Sequence, residues 1–147
     1  MNPVVQILFI FILFAGIDLP VYTMLTKKYY QGMYNRINQD QTVPKTRAYV
    51  SAILVYLLLA TGLYIFVIRP EIVSGKTLFI GGVFSSSTFF SILLKGMFYG
   101  LLTYGASDLI NLATLSQFGV RETIIDLTWA VSFCGILSVI CFYFLSR

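Results

Sequence analysis

The chain has 147 residues, 58% of them hydrophobic and 11% charged, with a formal net charge of +4. Soluble domains carry about 25% charged residues. A mean hydropathy of +0.85 over one domain's length excludes an ordinary soluble core and points to an integral membrane protein. There is no histidine, which removes His-based acid–base chemistry and His-ligated zinc or haem.

The first apolar run, "PVVQILFIFILFAGIDLPVYTML", predicts a span over about 3–25. It lacks a positive n-region and an A-x-A site, so it is expected to be a retained span, not a cleaved signal. Pro20 has no N–H to offer the carbonyl of Gly16, which weakens the turn that carries Asp18. The loop at 26–47 is the most polar stretch and holds Lys27, Lys28, Arg36, Lys45 and Arg47 against a single acid, Asp40. Tyr29, Tyr30 and Tyr34 lie beside its basic residues, a pattern of the headgroup layer more than of base stacking. Nucleic acid is not an expected partner.

A second span is expected over about 48–68, stopped at "RPE", residues 69–71. Residues 72–92 are apolar but interrupted by Gly81, Gly82 and a Ser/Thr run. A fifth span there would end at Lys95 and leave almost no loop. The reading is therefore a short re-entrant or interfacial apolar segment that leads into a third span over about 93–115. The fourth span is expected over about 123–145. The fold class is thus all-α, a polytopic transmembrane helical bundle of four spans in a single membrane domain, 1–147. Cys134 and Cys141 lie seven residues apart on the last span, roughly 10 Å along a helix, which is too far for a mutual disulfide.

With four spans, the loops after spans one and three share a side that holds six of the ten basic residues. That bias predicts a cytoplasmic first loop.

Span three carries a polar stripe. Gly96, Gly100, Tyr104, Ser107, Asp108, Asn111 and Thr114 fall on one face at 100° per residue. Gly96 and Gly100 form a G-x-x-x-G that allows a neighbouring helix to approach closely, so this face is expected to lie in protein. Asp126 and Trp129 share a face of span four. Counted from the first-loop side, Asp18 and Tyr56 lie about 12 Å deep, Asp108 about 10 Å and Asp126 about 6 Å. All four spans therefore bring a polar group to one layer. The expected intramembrane site comprises Asp18, Tyr56, Tyr104, Asp108, Asn111, Asp126 and Trp129, with Asp108 central and Trp129 near Asp126 and Asn111. An acid at the centre of a span costs roughly 2.5–3.5 kcal/mol on insertion scales. Arg47 and Arg121 are placed as charge partners.

At these residues the chain resembles the family known as domain of unknown function 2177, predicted small membrane proteins. Its pattern Y-x-x-Y-D-L-T-N-L-A-T-L is similar to "YGASDLINLATL", matched at Tyr104, Asp108, Leu109, Asn111, Leu112, Ala113 and Thr114. A second motif is matched at Thr123, Asp126 and Trp129, and weaker positions at Asp18, Tyr22, Tyr56, Gly62, Phe66 and Pro70. Ser107 and Ala130 depart from the usual Tyr and Gly. The resemblance implies architecture and positions; the family carries no established activity.

The site admits several functions. It is either a structural polar core or a place for a proton, a cation or a polar headgroup. A small transporter or channel-like protein would use the acids as a relay, and four short spans enclose so little volume that a pore would need a homo-oligomer. An oligomer face of Gly135, Ser138 and Cys141 is available on span four. A structural or accessory membrane or envelope protein would use the acids as helix glue. A lipid-modifying enzyme would use paired aspartates, with or without a metal. No P-loop, G-x-S-x-G or H-E-x-x-H occurs, so the reading leans away from an enzyme. The lipid bilayer is the expected partner; no cofactor and no soluble substrate are expected.

Overall fold

In a bilayer every backbone N–H and C=O must find its partner within the segment, so long apolar runs become helices. The computed structural model describes residues 2–21, 24, 44–116 and 118–146. Most of the first loop, with Lys27, Lys28, Arg36, Asp40 and the three loop tyrosines, lies outside the described residues, as do Tyr22, Gln117 and Arg147.

The elements in order are α1 (Pro3–Val21), α2 (Lys45–Leu63), a π-helical turn (Tyr64–Ile68), α3 (Arg69–Val73), β1 (Phe79–Ile80), β2 (Val83–Phe84), α4 (Ser86–Thr114) and α5 (Val120–Leu145). The rod Lys45–Val73 counts as one span. With Pro3–Val21, Ser86–Thr114 and Val120–Leu145 it makes, among the described residues, four helices long and apolar enough to cross a membrane. The chain is an all-α multi-pass membrane protein.

Two boundaries differ from expectation. "RPE" does not stop the second span. In the π turn the Arg69 N–H reaches back to the Tyr64 carbonyl, five residues earlier, and Pro70 falls at the start of the next segment, where no donor is required. The rod stops one turn later, at Gly75, whose φ is +71°. There Gly75 N–H bonds the Ile72 carbonyl at 3.0 Å and Lys76 N–H the Glu71 carbonyl at 3.2 Å. This is the paired ending that a left-handed glycine permits.

The second difference is at 72–92, which holds the end of α3, a β-hairpin and the first turns of α4. Phe79 pairs with Phe84 and Ile80 with Val83. Gly81 and Gly82 have φ of +58° and +85°, the backbone required by a two-residue turn that matches strand twist. The four strand side chains are exposed, and Phe79 also meets the Tyr143 ring edge-on at 6.3 Å. The segment is therefore an apolar hairpin at the end of the bundle where α5 finishes, and α4 begins at Ser86, ahead of the expected start at 93.

The tightest seam is between α4 and α5. A Cβ on Gly96 would meet the Cys134 carbonyl oxygen at 2.6 Å, and one on Gly100 the Ala130 carbonyl carbon at 2.9 Å. Backbones this close leave no room for side chains between them. The core runs from Ile10 and Phe14 on α1 through Ala60 and Leu63 on α2 to Phe133, Leu137, Cys141 and Phe142 on α5. Leu8, Ile12, Leu54, Leu58, Phe98, Leu102, Leu109 and Ile124 are exposed and form the lipid-facing surface.

Candidate functional site

Asp18 sits in the last turn of α1, one turn after Phe14. Phe14 is fully buried; its ring contacts Tyr56 at 5.9 Å and Phe133 edge-on at 5.0 Å. Trp129 stacks on Phe133 at 5.4 Å with an interplanar angle of 6°. This aromatic floor fixes the approach of two donors. The Tyr56 hydroxyl donates to Asp18 Oδ2 at 2.8 Å. The Trp129 indole N–H donates to Asp18 Oδ1, also at 2.8 Å. One carboxylate thus joins α1 to α2 and α5. Among the described residues no Lys or Arg forms an ion pair with it.

Beside Asp18 a crevice of about 330 Å³ opens between α1, α2 and α4, lined also by Val55, Tyr56, Leu59, Thr103, Tyr104 and Ser107. Thr103 and Ser107 turn their hydroxyl protons back to the Tyr99 and Tyr104 carbonyls, leaving oxygen lone pairs available. All four spans therefore contribute to the surroundings of Asp18.

The expected site divides in two. Asp18, Tyr56, Trp129 and Tyr104 come together, and Asp18 is the hub where Asp108 was expected. Trp129 bonds Asp18 where Asp126 and Asn111 were expected. Asp108 lies separately on the face of α4 turned to α5; it is 5% exposed, and its Oδ2 accepts no hydrogen bond among the described residues. Asp126 of α5 lies close enough to act on it electrostatically. Asn111 is half-buried and makes no side-chain hydrogen bond among the described residues. Arg47 and Arg121 are exposed. Gly96 and Gly100 pack against α5 as the stripe implied. Gly135, Ser138 and Cys141 are buried within the chain, so they offer no outer face for an oligomer.

One polar cluster was not foreseen. Glu71, read from sequence as part of a stop, is 2% exposed and pairs with Lys76 at 2.8 Å and with Lys95. Its signal was faint: an acid followed five residues on by a lysine, across a glycine-containing turn. Among the described residues no group of three or more Cys, Asp or Glu is placed to hold a metal.

The family model described as "Predicted membrane protein (DUF2177)" matches residues 3–143. No curated protein and no solved structure matches the chain. The match takes in α1, α2, α4 and almost all of α5, including every residue around Asp18, and the chain belongs to this family of predicted membrane proteins.

Proposed function

We propose that this multi-pass membrane protein holds a small cation, the proton included, at Asp18. The observation that carries the reading is the carboxylate's coordination. Two neutral donors fix the carboxyl group and bring no positive charge to it, and a crevice with hydroxyl and phenol oxygens opens beside it. An ionisable side chain kept inside a span is costly, and a cation in the crevice offsets that cost through direct attraction.

Trp129 is the sole tryptophan, and its N–H is bonded to the carboxylate in question. Its emission in nanodiscs, titrated with protons, sodium and small ammonium ions, reports on Asp18 directly. The expected result is a saturable change that Asp18→Asn abolishes. An emission that is flat across all titrants in a folded protein refutes the reading.

A second reading rests on the same two bonds. They staple α1 to the bundle, and a purely structural Asp18 would leave emission flat while Asp18→Asn lowers stability. We also propose, from the charge bias, that the 26–47 loop faces the cytoplasm. Cysteines placed at Gln39 and Ser74 test it, because Cys134 and Cys141 are both buried. Labelling of Gln39→Cys from outside intact cells overturns that orientation.

A further inference from the structure

The hairpin end of the bundle carries a second built feature, independent of Asp18. Glu71 is nearly sealed from solvent, while Lys76 and Lys95 around it remain 43% and 48% exposed. Two ammonium groups share one carboxylate, so the cluster keeps a net positive charge and each lysine retains free N–H donors. The Schellman ending at Gly75 folds Lys76 back over Glu71.

Lys95 also forms one end of an apolar groove of about 460 Å³ on the bundle surface. Its walls are Phe66 and Val67 from the π turn and Phe98, Tyr99 and Leu102 from α4. From Lys95 to Leu102 the groove follows α4 for about 10 Å toward the bilayer interior. The π turn has a local cause for its place in the wall. Its wider backbone displaces Phe66 and Val67 relative to a regular helix, and π turns recur at functional sites. Tyr99 pins the two walls together by donating its hydroxyl to the Leu59 carbonyl at 2.8 Å.

A cationic, donor-rich head over an apolar trough is the complement of one molecule: a phospholipid with an anionic headgroup. We infer that Lys76 and Lys95, held by Glu71, bind the phosphate of an anionic phospholipid whose acyl chain lies in the Phe66–Leu102 groove. The charge complementarity commits the groove to lipid. A second copy of the chain would bring the same positive cluster and be repelled.

The test is native mass spectrometry of the protein released from nanodiscs of mixed phosphatidylcholine and phosphatidylglycerol. The wild-type chain is expected to retain phosphatidylglycerol preferentially. Glu71→Gln frees both lysines and is expected to raise that retention. The triple variant Glu71→Gln, Lys76→Gln, Lys95→Gln leaves no buried charge to disturb folding. It is expected to lose the preference, by about fivefold for each lysine near an anionic surface. Leu102→Trp fills the groove at unchanged charge and is expected to lower retention of both lipids. Equal retention of the two lipids by the wild-type protein overturns the inference without recourse to any variant. So does identical behaviour of Glu71→Gln and the triple variant, full displacement of the lipid by inorganic phosphate, or release as lipid-free dimers.

Discussion

Gly100→Ala places one methyl group in the tightest part of the α4–α5 seam. Its Cβ would press on the Ala130 carbonyl oxygen and lie 2.9 Å from both the Ala130 carbonyl carbon and Cys134 Cβ. Two of these three atoms belong to backbone, so no side-chain rotation relieves the overlap. Helix α5 must back away by several tenths of an ångström and forfeit contacts along the seam. Overpacking of this kind costs about 1–3 kcal/mol. Alanine's better helix propensity returns about 1 kcal/mol at most, so the net effect is a loss of up to about 2 kcal/mol. Gly96→Ala meets the Cys134 carbonyl oxygen at 2.6 Å and Ser138 Cβ at 2.7 Å and should behave alike. Two internal controls share the chemistry without the overlap. A Cβ at Gly105 touches only Leu127 Cδ2 at 3.4 Å, and one at Gly16 meets nothing within 4 Å. Unfolding in mixed dodecylmaltoside–SDS micelles, followed by circular dichroism, ranks the four variants. Gly16→Ala is expected at or above the wild type, Gly105→Ala near it, and Gly96→Ala and Gly100→Ala below. A Gly100→Ala protein as stable as Gly16→Ala refutes the close backbone approach, and with it the packing of the Gly96–Gly100 face against α5.

The hydrogen bonds to Asp18 make separable predictions. Tyr56→Phe and Trp129→Phe each remove one donor and are expected to cost about 0.6–1.7 kcal/mol, the range for polar contacts between membrane helices. The hydrogen-bond part of each loss should vanish in an Asp18→Ala background, which removes both acceptors, and a double-mutant cycle with no coupling contradicts the geometry. At the other end, the ion cluster is asymmetric. Glu71→Gln leaves two half-exposed lysines that rehydrate, at a cost of about 1 kcal/mol or less. Lys76→Gln with Lys95→Gln leaves a sealed carboxylate without a cation, at about 3 kcal/mol. The same micelle unfolding measures both, and equal losses refute the burial of Glu71.

Composition and spacing by themselves determined a good deal. Four apolar runs separated by charged breaks leave only helices as solutions to backbone hydrogen bonding in lipid. The Gly96/Gly100 pair announced a close helix contact because only a missing side chain permits one. The cramped junction at Lys95 argued against a fifth span on length alone. Such features are local, carried within one or two turns of chain.

What only the tertiary structure decided was which polar group meets which. Depth counting brought Asp18, Tyr56, Asp108 and Asp126 to one layer, but depth does not supply the rotation of one helix about its axis relative to another. Aromatic packing of Phe14 against Tyr56 and Phe133 sets that rotation, and it turns Trp129 toward Asp18, 111 residues away. The same rotation leaves Asp108 against α5 and apart from the hub. The hairpin escaped the periodicity because two-residue strands are too short to show one; its only mark was the Gly81-Gly82 pair. Glu71 looked like a surface residue after a stop because the π turn that carries the helix past Pro70 depends on backbone hydrogen bonds that no spacing of side chains encodes.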